Sequence, residues 1–153
     1  MRQPTDIIDK ISNQPGAYGI VIRLQKLVQL EIGKFDRVEL PNGLYFYGGS
    51  AFGPGGLKAR IGRHVRAKKS LHWHIDHVTS QGKFVALGVV ENGNECDLVA
   101  AAIARECAAF PVPGFGSSDC RTCISHMVKL NHASDITKIF DAAKADKRWL
   151  FRG

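Results

Sequence analysis

A strand, a glycine-rich segment and a basic helix are predicted in immediate succession, and this order limits the folds that the chain can adopt. The aromatic run LYFY at residues 44–47 favours a strand, which ends at Gly48 and Gly49. Five glycines fall between positions 48 and 56, more than a simple turn requires. Because glycine lets a ligand approach the main chain, we expect this segment to admit a phosphate. Residues 53–56 lack the Gly-Lys-Ser/Thr ending of a P-loop, which argues against nucleoside triphosphate hydrolysis.

The residues after the glycines predict a helix with one apolar face and one cationic face. The apolar positions recur every four residues and should form a buried stripe: Leu57, Ile61 and Val65. Residues 58–69 contain six Lys or Arg residues and one His, but no acid. Three of these share one neighbouring face: Arg60, His64 and Lys68. Since unpaired cations are costly to desolvate, we expect that face to be partly exposed, either merely solvated or binding phosphate.

Periodicity along the rest of the chain predicts a single α+β domain spanning residues 1–153. Strands are predicted at residues 17–24, 28–32, 35–40, 44–48 and 83–90, and helices at 94–110 and 133–149. The turn residues PNG, 41–43, should join the fourth strand to the third as a hairpin. Asn94 is expected to cap the first of the two helices.

The charge of the chain favours a polyanionic partner. Lys and Arg total 21 against 14 Asp and Glu, which gives a formal net charge of +7. Clustered cations bind nucleic acid by neutralising phosphates, although a protein can also be basic without such a partner. No apolar run is long enough to span a bilayer, and the N-terminus lacks a secretory signal. We therefore expect a cytoplasmic protein without a membrane partner.

Four cysteines lie at positions 96, 107, 120 and 123. Without a secretory context they are expected to be reduced thiols or metal ligands rather than disulfides. Cys120, Cys123 and His126 have C-x2-C-x2-H spacing, and Cys96 would supply a fourth ligand. A structural zinc site and a set of buried thiols both fit this pattern.

Several motifs together resemble the GIY-YIG nuclease superfamily. The matching residues are Gly16–Tyr18 (GAY), Tyr47–Ser50 (YGGS), Arg60 and His64. Three further segments resemble its Uri-type branch: KKSLHWHIDHV at 68–78, NECDLVAAA at 94–102 and GFGSSDCRTCISHM at 114–127. The resemblance covers about residues 15–130, and it is specific because the pieces occur in family order. Ala17 and Gly48 replace the usual apolar middle residues, which serve packing, so we expect the site to survive.

The resemblance implies a largely antiparallel, three-stranded central sheet flanked by helices, with extra short strands and a C-terminal helix. Tyr18 and Tyr47 would then face one cleft. Tyr18 is the candidate general base, directly or through a water, or a group that orients the nucleophile. A tyrosine titrates near pH 10, so a role as general base requires that nearby cations or a metal favour the phenolate. Arg60 and its neighbours supply positive charge of this kind. Simple packing within the strands is the alternative for both tyrosines.

The resemblance also assigns roles to the cationic segment. Arg60 would hold the scissile phosphate, a task suited to its forked donors, and His64 would assist proton transfer or bind a phosphate. Among His72, His74 and His77 the resemblance favours His72, with His74 a near competitor. The remaining candidates for nucleic-acid binding are Lys58, Arg63, Lys68, Lys69 and His74.

Glu95 is the metal ligand that the resemblance implies, for one Mg²⁺ or Mn²⁺ ion. A hard ion needs few protein ligands and keeps its waters, so one carboxylate suffices. Glu95 also complements the dipole of its helix, which is a purely structural explanation.

These patterns favour a metal-dependent endonuclease that hydrolyses phosphodiester bonds of nucleic acid, with DNA ahead of RNA. Two other classes fit part of the pattern. One is a non-catalytic DNA- or RNA-binding module, and the other is a zinc-stabilised interaction domain. The sequence leaves open the strandedness of the substrate and the oligomeric state.

Overall fold

The structure, a computed structural model, describes residues 3–31, 37–65, 75–104 and 126–151 of the chain. The predicted site residues that lie outside these ranges are Lys68, Lys69, His72, His74, Cys120 and Cys123. None of the helices in the described ranges combines the length and apolar character needed to span a lipid bilayer.

Four consecutive strands precede the first α-helix in the described chain, and the three later strands are separated from one another by helices. The strands are β1 (Gly16–Leu24), β2 (Val28–Glu31), β3 (Arg37–Leu40), β4 (Gly43–Ser50), β5 (Lys83–Glu91), β6 (Met127–Leu130) and β7 (Lys147–Leu150). The helices are α1 (Gly56–Val65), α2 (Asp76–Thr79), α3 (Glu95–Ile103) and α4 (Asp135–Ala142), preceded by a 3₁₀ helix at Pro4–Lys10. This composition confirms the predicted α+β class.

The main sheet is antiparallel and has five strands in the order β6-β4-β1-β5-β7. Its centre is β4, β1 and β5, and the short strands β6 and β7 extend it at the two edges. The observed main sheet therefore has five strands, whereas we expected a central sheet of three. Strands β2 and β3 pair only with each other, in a separate two-stranded sheet.

The predicted hairpin between β3 and β4 is wrong. Strand β4 pairs with β1 and β6, whereas β3 pairs with β2. In the observed register Tyr45 lies opposite Ile22 and Tyr47 opposite Ile20. Pairs of an aromatic and a β-branched side chain stabilise a sheet, and they favour β1 as the partner of β4 over the shorter β3.

The predicted C-terminal helix, 133–149, is also too long. Helix α4 ends at Ala142, and Lys144 adopts a left-handed backbone conformation with φ of 57°. The chain then returns as β7, which places Trp149 opposite Leu87 and buries it. Burial of a large aromatic side chain outweighs the helix propensity of the preceding alanines and lysines.

The sheet is covered on both faces, which explains why β1 is apolar almost throughout. On one face the 3₁₀ helix and α1 pack over a cluster that includes Tyr18, Ile20 and Tyr47. On the other face α3 and α4 pack over Val21 and Phe46. The predicted stripe on α1 is confirmed, since Leu57 and Ile61 are buried and Val65 packs against them.

Helix α1 begins at a rigid junction. Gly56 has φ of +59°, and a Cβ atom there would lie 2.0 Å from the carbonyl oxygen of Asn13. The amide of Leu57 donates to the carbonyl of Gln14 at 2.9 Å. Only glycine fits at this position. The junction therefore fixes the start of α1, and with it the side chains of Arg60 and His64.

Candidate active site

Tyr18 and Tyr47 lie side by side on the face of the sheet that α1 covers. Because Tyr18 pairs with Gly49 and Tyr47 pairs with Ile20, the two tyrosines are diagonal neighbours on adjacent strands. Their ring centroids are 6.5 Å apart. The sequence-predicted tyrosine pair is thus brought together.

Glycines make room for this arrangement instead of leaving the main chain open. A Cβ atom at Gly49 would lie 2.4 Å from the hydroxyl oxygen of Tyr18. A Cβ atom at Gly48 would lie 2.9 Å from Val99 Cγ2 and 3.2 Å from the carbonyl oxygen of Glu95. These glycines allow a phenol ring and a helix to approach the strand. Our expectation that they admit a phosphate is therefore corrected for both positions.

His64 completes a cluster of three rings. Its Nε2 atom lies 2.6 Å from the hydroxyl oxygen of Tyr18, and its ring centroid is 5.3 Å from that of Tyr18 and 6.5 Å from that of Tyr47. The side chain is 1% exposed. We expected its helix face to be partly exposed. His64 is buried because α1 is rotated so that this residue points at the sheet, where the hydroxyl of Tyr18 lies within hydrogen-bond distance of its Nε2 atom.

Arg60 lies one turn earlier on α1 and is half-buried. Its Nη1 atom donates to the carbonyl of Ser50, at the end of β4, at 2.9 Å. Burial raises the pKa of both Tyr18 and Tyr47, and the guanidinium lies close enough to the two phenols for its charge to oppose that rise. The predicted grouping of Tyr18, Tyr47, Arg60 and His64 is present.

Asp76 is a site residue that the sequence reasoning missed. It is 0% exposed and lies at the start of α2. Arg63 donates to both of its carboxylate oxygens, at 2.7 and 2.8 Å, and His64 Nδ1 lies 3.9 Å from Oδ1. A usable signal existed, since Asp76 is the only acidic residue between Glu39 and Glu91 in a strongly cationic stretch.

The two phenols are held in their neutral form. Burial raises the pKa of Tyr18 well above its ordinary value, and the neighbouring Tyr47 raises it further, while Arg60 opposes this shift. Burial likewise raises the pKa of Tyr47 strongly, and the carboxylates of Asp76 and Glu95 add to it. Desolvation thus exceeds the effect of the cation. The direction of these shifts favours the neutral phenols over the phenolate that the general-base role of Tyr18 was expected to require.

Glu95 approaches the site from the opposite face, at the first turn of α3. Asn94 caps that helix as predicted, by accepting from the amide of Cys96 at 2.7 Å. The Sγ atom of Cys96 lies 4.0 Å from Nε2 of His126. Glu95, Cys96 and His126 each offer a ligand atom within 4.8 Å of the others. Two of the predicted zinc ligands therefore meet, and Glu95 joins them.

The described residues predicted to bind nucleic acid are partly engaged within the protein. Lys58 lies 3.8 Å from the carboxylate of Asp9, in an exposed ion pair. The guanidinium of Arg63 holds Asp76, as described above, and only 16% of its side chain is exposed.

A cationic cavity of about 340 Å³ lies at the opposite end of β1. It is lined by Arg23, Gln25, Lys26, Val28, Gln81 and Lys83. Arg23 and Lys83 are direct cross-strand neighbours on β1 and β5. Like charges in that position destabilise a sheet unless an anion is bound between them. The sequence reasoning missed this cluster because only the strand register brings its members together.

Comparison with known protein families gives a match over most of the chain. The family model described as "Domain of unknown function DUF123" matches residues 17–148. No curated protein and no solved structure matches the chain significantly.

Proposed function

We propose that this chain, which belongs to the DUF123 family, is a metal-dependent endonuclease that hydrolyses phosphodiester bonds of nucleic acid, DNA in particular. The observation that carries the proposal is the convergence of Tyr18, Tyr47, Arg60 and His64 in one cluster. The resemblance to GIY-YIG nucleases selects these four residues from three separate elements. The resemblance does not depend on their spatial proximity, so the convergence is independent support.

In the proposed reaction His64 accepts the proton of the attacking water through Tyr18. A carboxylate near Nδ1 favours the tautomer that carries its proton there, which leaves Nε2 as the acceptor. Asp76 supplies that carboxylate, 3.9 Å away. The Tyr18 hydroxyl then transfers its proton to Nε2 of His64 while its oxygen takes a proton from the attacking water. Tyr18 ends neutral and His64 ends protonated. This relay needs no phenolate, so it agrees with the raised pKa of Tyr18.

Arg60 stabilises the phosphate in the transition state. Its guanidinium is half-buried beside the two phenols and donates to the carbonyl of Ser50 at the end of β4. Forked donors in a partly dry site are suited to the charge that builds on phosphate oxygens. Glu95 would hold the divalent ion, for which its half-buried carboxylate is a suitable oxygen ligand. When bound, such an ion polarises the phosphate and assists departure of the leaving oxygen.

A non-catalytic nucleic-acid-binding module is the second candidate, and one observation favours it. Tyr18 is 1% exposed, so water reaches its hydroxyl only if the cluster opens. The cationic cavity at the other end of β1 would serve either function.

Cleavage assays on labelled single-stranded, duplex and branched oligonucleotides separate the two functions. We expect cleavage with at least one divalent ion of the series Mg²⁺, Mn²⁺, Co²⁺ and Zn²⁺, and loss of cleavage with a chelator. Arg60→Ala and His64→Ala should lose cleavage but retain binding. Lys138→Ala, which removes an exposed cation on α4, is the matched control and should cleave normally. Binding that weakens with salt, without cleavage of any substrate by the unaltered chain, would establish the binding module instead.

A further inference from the structure

We infer that Glu95, Cys96 and His126 form a single metal centre that takes a transition ion such as Zn²⁺ or Co²⁺ in preference to Mg²⁺. The inference rests on the proposed function insofar as this centre supplies the ion of the nuclease. It changes the sequence-based expectation, which separated a carboxylate site at Glu95 from a zinc site at Cys96, Cys120, Cys123 and His126. The three potential ligand atoms lie within 4.8 Å of one another, so the two expected sites overlap.

Gly48 contacts both segments that carry the ligands, the start of α3 and the residue before β6. Its amide donates to the carbonyl of His126 at 2.9 Å, which fixes the residue just before β6. Its missing side chain lets the backbone of Glu95 approach, because a Cβ atom would lie 3.2 Å from the carbonyl oxygen of Glu95. Gly48, one of the two positions at which the chain departs from the usual motifs, therefore lies in contact with both α3 and the residue before β6.

The distances are compatible with tetrahedral coordination after small side-chain movements. Ligand atoms at about 2.0–2.3 Å from a tetrahedral ion are roughly 3.3–3.8 Å apart. Cys96 Sγ and His126 Nε2 are already 4.0 Å apart. Glu95 and Cys96 are half-buried at the first turn of α3, so rotation of their side chains can shorten the distances between the ligand atoms to this range.

The donor set determines the ion. Mg²⁺ prefers oxygen ligands in octahedral geometry, whereas thiolate and imidazole select Zn²⁺, Co²⁺ and related ions. Cys96 lies at the N-terminus of α3, where the helix dipole favours the thiolate that a metal requires. Three protein ligands leave a coordination position open to water or a phosphate oxygen, as in catalytic zinc sites.

Titration of the reduced, metal-free chain with Co²⁺ tests the inference without measuring activity. We expect a thiolate-to-cobalt charge-transfer band that Zn²⁺ abolishes and that a large excess of Mg²⁺ leaves unchanged. Cys96→Ser should remove the band, and Glu95→Gln and His126→Gln should weaken Co²⁺ binding by at least about tenfold. Circular dichroism of each variant verifies that it is folded.

Matched controls come from neighbouring residues. Asp97→Asn alters the other acid in the first turn of α3, and His132→Gln alters an exposed histidine shortly after His126. Both variants should bind Co²⁺ normally. Two results would overturn the inference. The first is displacement of Co²⁺ by Mg²⁺. The second is unchanged Co²⁺ affinity in Glu95→Gln together with loss of Co²⁺ binding in Cys120→Ser and Cys123→Ser. The second result would establish the four-ligand zinc site instead. Normal Co²⁺ binding by a chain that cleaves no nucleic acid would refute the proposed nuclease and leave the metal centre intact.

Discussion

Tyr18 and Gly49 face each other across β1 and β4, and the site depends on the pair. The sequence identified both tyrosines because the flanking motifs are distinctive. It could not show that Gly49 serves the Tyr18 ring, because that proximity depends on the register of two strands. Asp76 was missed for a similar reason, since its partners on α1 are 12 and 13 positions earlier in the chain.

Gly49→Ala should disrupt the site while a glycine change elsewhere should not. The new methyl group would lie 2.4 Å from the Tyr18 hydroxyl, so the ring must move away from His64. We expect loss of cleavage and a destabilisation of about 1–3 kcal/mol in urea unfolding. Gly62→Ala is the control, because a Cβ atom there meets nothing within 4 Å. In a helix that change should stabilise by about 0.5–1 kcal/mol. An active, undisturbed Gly49→Ala variant would contradict the proposed role of Tyr18.

The raised pKa of Tyr18 predicts alkaline destabilisation. The unfolded chain begins to lose phenolic protons near pH 10, whereas burial keeps Tyr18 protonated in the folded chain. The protonated Tyr18 side chain therefore makes its full contribution to the free energy of unfolding below about pH 10. This contribution is lost as the pH rises toward the higher pKa of Tyr18 in the folded chain. Urea unfolding between pH 8 and pH 11 should show this decline, and Tyr18→Phe should reduce its slope. An equal slope in both proteins would show that Tyr18 ionises normally.

Among the secondary-structure elements, α1 carries most of the site, and its amphipathic pattern was predicted correctly from the sequence. The pattern identified the buried stripe but placed His64 with the exposed cations. The orientation of α1 about its own axis follows from the Gly56 junction and from the ion pair between Arg63 and Asp76. Neither is local in sequence, so helix periodicity alone could not provide the orientation.

The ion pair between α1 and α2 should be far more important than an ion pair at the surface. Asp76→Ala removes the buried carboxylate that Arg63 holds and should cost about 3–5 kcal/mol in urea unfolding. It should also lower cleavage by removing the carboxylate beside His64, whereas the double variant Arg63→Met/Asp76→Leu should recover stability without recovering cleavage. Asp141→Ala breaks the exposed pair with Arg148 and should change stability by less than about 1 kcal/mol. Similar losses of stability in Asp76→Ala and Asp141→Ala would show that the ion pair of Asp76 with Arg63 is no more important than the exposed pair.

On the scale of the whole molecule, the class and most strands were predictable, while the pairing and edges of the sheet were not. The alternating apolar positions from Tyr18 to Leu24 predicted a strand, and this segment forms the central strand β1, in which the intervening residues except Arg23 are buried as well. The short edge strands β6 and β7 are four residues each, too short for a periodic signal. Tertiary contacts decided their conformation, as Trp149 illustrates.

The cationic cavity predicts a second contact with nucleic acid, distant from the tyrosine cluster. We expect Arg23→Ala/Lys83→Ala to weaken binding of long oligonucleotides and to reduce the salt dependence of log Kd by about 1 for each phosphate that the variant no longer neutralises. The turnover number should be unchanged, and stability should be equal or higher because two like charges no longer face each other. Lys138→Ala should leave the salt dependence unaltered. Unchanged binding in the double variant would remove the cavity from the nucleic-acid interface.

The outermost strands of the main sheet also bear on how the chain behaves at high concentration. Each offers only four residues, and both carry basic side chains: Lys129 on β6, and Lys147 and Arg148 on β7. Short edge strands that carry positive charges pair poorly with a strand from another molecule. We expect this architecture to resist edge-to-edge aggregation and amyloid-like growth even in concentrated solution.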